Sequence, residues 1–503
     1  MIWYLLLLAT IVVWRLYVSL SGKKLKKLAK EIGLINKPTK PILGHAYLFL
    51  GDLMKLWDFL ARESIRQGGL AGFWNLDRLL VNVTDPGAAE FLLKTCLNKD
   101  HGLLRGPLMF VGNGSLFAPA HKWRPRRKIL APTFGMKQLN KFMDVFSDQT
   151  AVLVDQLAPR AGTGDFSIWR FAVNYTFDAV CETALGIQMQ TQLKMNSFLT
   201  AIEEVFRMTT DRMNGFTARH DFMYKMLPCF KEYDKKRQLL YRFVDEIIKC
   251  KREEAASLTP TDTLNGFKKS KAPSILEMIM EYSASIGGYT DLELREETMV
   301  VILAGTDTSA VGTAFAFLML SRHEEVQKKV YEELKEVFGD SDRPISAADL
   351  PKLKYLEVVI KEALRLYPPV PVILREVTQD VTLPSGLTLL KDVTIFINIW
   401  GIHRNKEYWG EDAEEFRPER FLEGPLKHPN QFVPFSHGVR NCLGYQYAMM
   451  SMKSSISSVL RRYIILPPDG MAREQLKEPL RLEYDVSIKH VDNFIIRIEK
   501  RNS

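Results

Sequence analysis

Cysteine is scarce in this chain. Five occur among 503 residues, at Cys96, Cys181, Cys229, Cys250 and Cys442, and no two form a C-x-x-C pair. A sparse, odd set argues against a disulfide framework and for reduced thiols facing a cytosol-like compartment. The spacing does not suit structural zinc. Four of the five read as small buried apolar residues; Cys442 has unusual neighbours. Internal repeats and low-complexity tracts are missing as well, which sets aside solenoid and disordered architectures. No G-x-G-x-x-G follows a strand, so no dinucleotide-binding signature is present. What the chain does contain is ordinary in bulk: 46% hydrophobic and 25% charged residues, enough for a sizeable core. Its net charge of +9 suits an anionic membrane surface or an acidic partner. That excess is too diffuse for nucleic acid, which wants a concentrated basic face.

Residues 2–20 are apolar except for Thr10, Arg15 and Ser19, and Lys23, Lys24, Lys26 and Lys27 follow. The run just reaches bilayer-spanning length. Charges after the run predict a cytoplasmic C-terminal side. They also speak against a cleaved signal peptide, as does Arg15, which stands where a cleavage region is small and neutral. The expected organisation is an uncleaved signal-anchor at 1–22, a basic, proline-containing linker at 23–44 that is stiff at Lys37–Pro41, and one domain at 45–503. Leu79–Val83, Val381–Leu383 and Val393–Ile399 read as strands. From about Lys122 to Glu333 helical periodicity dominates, most clearly at Gln138–Leu157, Arg237–Glu254 and Leu292–Leu320. Thr259–Pro273 is polar and reads as a loop. The fold class is mainly α, with small β-sheets near both ends.

The most informative segment is Phe435-Ser436-His437-Gly438-Val439-Arg440-Asn441-Cys442-Leu443-Gly444. Two glycines bracket the cysteine and permit turns that a side chain would forbid. An apolar helical stretch follows from Tyr445, so Cys442 sits just before a helix N-terminus, where backbone N–H groups favour a thiolate. Arg440, two residues away, can address an anion. The pattern F-x-x-G-x-R-x-C-x-G resembles the haem-binding loop of the cytochrome P450 family. That resemblance implies the family's fold, with haem b (iron protoporphyrin IX) sandwiched between a long distal helix and the proximal cysteine-loop helix. It makes Cys442 the iron ligand, whose thiolate pushes electron density toward O–O cleavage. It implies that Phe435 shields the sulfur, that Arg440 meets a haem propionate and that Gly444 belongs to the haem-contacting loop.

Three further motifs stand in the family's order. Glu362 and Arg365 share a helix face that Pro368 and Pro369 end. Alone such a pair is a solvated surface contact, but with Phe416-Arg417-Pro418-Glu419-Arg420-Phe421 downstream it resembles the family's buried network of Glu362, Arg365 and Arg420. Ala304-Gly305-Thr306-Asp307-Thr308-Ser309 interrupts an apolar helix. By itself it reads as small-residue packing with back-bonded hydroxyls, or as a place where Gly305 lets the helix widen and a carboxylate beside a hydroxyl relays protons. It resembles the family's oxygen-activation motif, which implies that Asp307 and Thr308 deliver protons to iron-bound dioxygen. In Lys122-Trp123-Arg124-Pro125-Arg126-Arg127-Lys128, Trp123 and Arg127 share a face, which requires Pro125 in the first turn. Arg124, Arg126 and Lys128 read as an exposed basic helix start. W-x-x-x-R resembles the propionate-binding helix, with Arg375 as a further partner by family position.

Within the family the chain resembles the microsomal family-four branch and its insect members. One departure matters: where that branch often carries a haem-esterifying Glu, this chain has Ala304, so no such covalent link forms there. The resemblance implies a monooxygenase on the cytosolic face of the endoplasmic reticulum membrane. It would insert one oxygen atom from O2 into an apolar substrate (fatty acid, terpenoid, hormone, pheromone or xenobiotic). Electrons would come from NADPH through NADPH-cytochrome P450 reductase, with cytochrome b5 as a second donor. Arg124, Arg126 and Lys128 are expected on the partner-docking face. The substrate pocket is expected near Gly102–Ser115, 200–216, Val300–Ala304 and Val370–Leu374. Two rival readings, a haem-thiolate isomerase or dehydratase and a non-catalytic haem-binding protein, leave Asp307 and Thr308 without a task.

Overall fold

The computed structural model describes residues 22–41, 43–214, 221–256, 263–264, 267–270, 272–284 and 288–501. Residues 1–21 of the predicted signal-anchor lie outside the described residues. The elements used below are, in chain order, α1 (Lys23–Ile32), α2 (Leu53–Arg66), β1 (Leu70–Asn75), β2 (Arg78–Val83), α3 (Pro86–Thr95), α4 (Ala120–Thr133), α5 (Met143–Leu157), α6 (Trp169–Leu185), α7 (Ser197–Asn214), α8 (Pro228–Ala256), α9 (Asp291–Arg322), α10 (Lys354–Leu366), β3 (Val372–Glu376), β4 (Thr394–Asn398), α11 (Tyr445–Arg462), β5 (Leu482–Asp485) and β6 (Ser487–His490). The mainly α expectation with small sheets holds. The chain packs as two compact units, each assembled from separate stretches of sequence.

One unit takes the described residues up to Asp100 with Val372–Ala413 and Lys427–Asn441. Its four-stranded sheet has the order β1-β2-β4-β3. β1 and β2 form a hairpin; β4 runs parallel to β2 and antiparallel to β3. Every residue of β4 is buried, as expected of a central strand. Val81, Val83, Ile395 and Ile397 pack with Leu92 and Leu93 of α3. Residues 23–44 differ from the expected linker. α1 buries Leu28, Ala29 and Ile32 in the same core, so its period outranks its five lysines. The chain beyond α1 then runs beside β1 through Ile35 N–H to Gly72 O. The buried His45 ring donates from Nε2 to Lys37 O and accepts from Trp74 N–H at Nδ1, pinning the proline segment.

The other unit takes His101–Pro371, Glu414–Leu426 and the described residues from Cys442. α9 starts with a capping box between Thr290 and Glu293 and is buried without interruption from Ser309 to Ser321. Among the described residues it is the one helix long and apolar enough to cross a membrane, but 72% of its most apolar stretch is buried, the mark of a core helix. α6, α10 and α11 pack against it. Two glycines permit this closeness. A Cβ on Gly312 would stand 2.8 Å from Met452 Sδ, and one on Gly305 3.0 Å from Val180. The helix predicted at Gln138–Leu157 is broken at Phe142, and α8 extends well beyond Arg237–Glu254. The predicted loop at Thr259–Pro273 contains a small strand pair, Thr263–Leu264 with Phe267–Lys268.

Candidate active site

The cysteine loop leaves the first unit after Asn441 and enters the second at Cys442. Ser436 and Gly438 both have left-handed φ, +63° and +76°. A Cβ on Gly438 would lie 3.1 Å from the Leu93 carbonyl, so glycine there answers both to backbone angle and to close approach. Phe435 is half-buried beside this turn. Cys442 is exposed and stands three residues before α11, which begins at Tyr445 with Gly444 as its cap. In the second unit Arg127 lies close enough to feel the Cys442 charge. Burial lowers the affinity of its guanidinium for its proton, and the sulfur acts in the opposite sense. Arg127 shares a face of α4 with the buried Trp123. Two other cysteines correct the sequence reading: Cys229 is exposed and Cys250 half-buried, while Cys96 and Cys181 are buried as expected.

The first unit holds a pair of buried guanidiniums. Arg375 is fully buried and Arg440 6% exposed. Arg375 donates to Leu374 O, and its Nε has no hydrogen-bond partner among the described residues. Arg440 donates to Leu97 O at 2.6 Å. Burial brings Arg375 down to about 10 and Arg440 to about 9, with Arg375 repelling Arg440 as well. Among the described residues no carboxylate acts on Arg375. A buried guanidinium with no carboxylate beside it is costly, so Arg375, with the second cation Arg440 near it, fits an acidic ligand group such as a haem propionate. Bidentate Arg recognition suits that geometry.

A buried network of opposite character lies in the second unit. Arg365 closes on Glu362 through Nε at 2.7 Å and a second nitrogen at 2.8 Å. Arg420 Nε and Arg417 N–H both reach Glu362 Oε1 at 2.9 Å. Arg365 and Arg420 also donate to the Glu415 carbonyl. Glu362 and Arg365 have no exposed surface. Every charge here is answered from within the chain.

α9 carries the predicted relay. Ala304, Asp307 and Thr308 are half-buried. The expected widening at Gly305 is not present: the helix continues unbroken, and Thr308 Oγ1 donates to Ala304 O at 2.6 Å. Thr176 of α6 donates to Thr306 O at 3.1 Å, holding the two helices together at the motif. Asp307 forms an ion pair at 2.5 Å with Lys489 of β6, a residue the sequence reading missed. No local pattern announces a contact across 182 residues.

The basic stretch of α4 also needs correction. Pro125 is the sixth residue of the helix, a turn deeper than predicted, and gives up one helical hydrogen bond. Arg126 is buried, not exposed. It meets Glu293, Glu296 and Glu297 of α9 at 3.2, 3.5 and 3.1 Å. Glu297 also accepts from Ser115 N–H and Oγ. Arg126 therefore fastens α4 to α9 and is not available to a docking partner; Arg124 and Lys128 stay exposed. Three of the four predicted pocket segments lie in this unit and come near one another. Gly106 approaches Thr209 and Met213, and Gly114 approaches Val300. Residues 215–216 of the second segment lie outside the described residues. A cavity of about 620 Å³ opens here, lined by Met109, Gly112 and Asn113 together with Asp221, Phe230 and Arg237. The sequence reading did not include the last three.

The sequence profile of the family described as Cytochrome P450 matches residues 36–489. The chain belongs to the cytochrome P450 family. Among its relatives, Cytochrome P450 4d2 of Drosophila melanogaster is 32% identical over 456 residues, covering 88% of this chain and 90% of that protein. Cytochrome P450 4V2 of Homo sapiens is 31% identical over 476 residues, covering 92% and 89%. Cytochrome P450 4c21 of Blattella germanica is 32% identical over 393 residues, covering 77% and 78%. The expectation of a P450 monooxygenase resembling family four therefore stands. With the family come a haem, O2, a redox partner and an apolar substrate.

Proposed function

We propose that Cys442 would hold the iron of a haem b through its thiolate and that the enzyme oxidises an apolar small molecule with electrons from NADPH-cytochrome P450 reductase, cytochrome b5 serving as a second donor. The observation that carries this reading is the exposed Cys442 sulfur three residues before a helix, with the Arg127 guanidinium close enough to feel its charge. When bound, the haem supplies reductive activation of O2 and transfer of one oxygen atom to substrate. The chain's own residues supply the rest. Arg375 and Arg440 are the carboxylate-binding pair of the first unit, and Trp123 with Arg127 offers donors in the second. Glu362, Arg365 and Arg420 hold the fold that carries the cysteine helix. Asp307 takes up a proton, and Thr308 Oγ1 passes one on after turning from the Ala304 carbonyl. Ala304 offers no carboxylate for a haem ester. Substrate lies among Gly102–Ser115, α7 and the Val300–Ala304 turn. Residues 1–22 anchor the enzyme in the endoplasmic reticulum membrane, with the remainder on the cytosolic face.

Purified full-length enzyme with the reductase, screened against fatty acids, terpenoids and planar aromatics, tests this reading. At least one class is expected to shift the haem spectrum and to raise NADPH consumption. Peroxide rearrangement without NADPH would support an isomerase instead, and ligand binding without turnover would support a sensor.

A further inference from the structure

The C-terminal hairpin presents a set of polar groups to the proton-relay helix. β5 and β6 turn tightly at Val486, whose φ is +60°. The tip is tied to α7 by one hydroxyl: Thr210 Oγ1 donates to Asp485 Oδ1 at 2.8 Å and accepts from Val486 N–H at 3.0 Å. From β6, Lys489 reaches Asp307 at 2.5 Å, with side-chain exposures of 13% and 11%. The ammonium is held on two more sides. It donates to Ser487 Oγ at 2.9 Å and stands 4.2 Å over the Trp169 ring at the start of α6. Asp485 and Tyr484 of β5 also act on this place. Burial pushes the Asp485 carboxyl up, while Lys489 pulls it down and Asp307 and Asp211 push it further. Burial likewise raises the Tyr484 phenol, Asp307 adding to it.

Asp307 and Thr308 are consecutive on a helix, so their side chains leave in different directions. What decides whether a proton passes between them is where the carboxylate is held. We propose that Lys489, fixed by the Thr210-pinned hairpin tip, is a positioning residue that sets the place of the Asp307 carboxylate and thereby controls proton delivery to Thr308. This rests on the haem-thiolate reading above. A carboxylate with little solvent access loses its geometry when its cation goes, because nothing else charged on the hairpin attracts it: Asp485 repels it. The same arrangement links α7, one of the proposed substrate segments, to the relay through Thr210.

The test uses full-length holoenzyme with the reductase and an accepted substrate, following product formed and hydrogen peroxide released per NADPH consumed. Lys489→Met is expected to slow product formation about tenfold, part of the ~10²–10⁴-fold that positioned proton transfer contributes. The share of electrons lost as peroxide should rise, with the spectral affinity for substrate unchanged. Lys489→Arg should recover to within about twofold, since the charge and donors remain. On an Asp307→Asn background Lys489→Met should add little, in turnover and in thermal unfolding alike, because the two act as one unit. The proposal is overturned if Lys489→Met leaves product and peroxide within about twofold of the parent, or slows the Asp307→Asn enzyme by its full factor. Should Lys489→Met fail to fold, Thr210→Val keeps both charges and loosens only the tip; raised peroxide supports the proposal and an unchanged share overturns it. A parent enzyme lacking the thiolate-type carbon monoxide band fails the haem reading instead, before any Lys489 variant is compared.

Discussion

In the second unit Arg365 and Arg420 converge on one carboxylate, Glu362; in the first, Arg375 and Arg440 lie close enough for one to repel the other, and among the described residues no carboxylate acts on Arg375. Both sets are buried. Burial alone therefore says little about role. A charge answered within the chain is part of the scaffold, and its removal strands its partners. A buried guanidinium such as Arg375, with no carboxylate beside it among the described residues, is held ready for a ligand, and its removal relieves the protein while weakening the ligand.

That contrast can be broken by substitution. The largest effect is expected at Glu362. Glu362→Gln should destabilise the protein by about 3–5 kcal/mol, since two buried guanidiniums lose their anion; thermal unfolding of the ligand-free chain measures it. His490 offers a third kind of buried group, a base kept neutral. Its Nδ1 accepts from Phe494 N–H at 3.2 Å, and burial lowers it to about 4. Between the ordinary imidazole value and that point the unfolded chain binds a proton that the folded chain refuses. Stability should therefore fall as pH drops from about 6.5 to about 4, by roughly 3 kcal/mol. His490→Gln should flatten that decline in unfolding measured across the range.

Arg375→Met sharpens the comparison further. Ligand-free stability is expected to hold or to rise by about 1 kcal/mol, because an unanswered buried charge is gone. Haem retention should weaken about tenfold, the worth of one charge-assisted hydrogen bond; competition for bound haem by a high-affinity acceptor protein measures it. Loss of folding in Arg375→Met would place Arg375 with Glu362, among the scaffold residues. The smallest effect concerns Ala304. Acidified organic solvent should extract all haem from the denatured enzyme, as no ester can form at that position.

The same distinction explains what could be read in the sequence. Motifs whose members lie within about ten residues, Phe435–Gly444 and Glu362–Arg365, carry their geometry with them: a turn needs its glycines, and a helix face needs its spacing. The P450 fold and a place for Cys442 were legible for that reason. Arg126 was not. In the sequence it sits among cations and reads as solvated, yet its three carboxylates lie about 170 residues away on α9. Lys489 was hidden in the same way, as an ordinary alternating residue of a short strand. Residues 23–32 look like a basic tether until the apolar stripe of Leu28, Ala29 and Ile32 is seen against the sheet. Gly305 shows the opposite error. A glycine that reads as an opportunity for helix widening is accounted for by Val180, which a Cβ would crowd at 3.0 Å.

The proposed activity depends on the Cys442 sulfur bonding to iron as an anion. Purified full-length protein, reduced and placed under carbon monoxide, is predicted to absorb at the long-wavelength Soret position that thiolate ligation produces, and Cys442→Ala to lose that band while still folding. A parent protein loaded with haem that never shows it, or a Cys442→Ala variant that keeps it, would contradict the assignment outright.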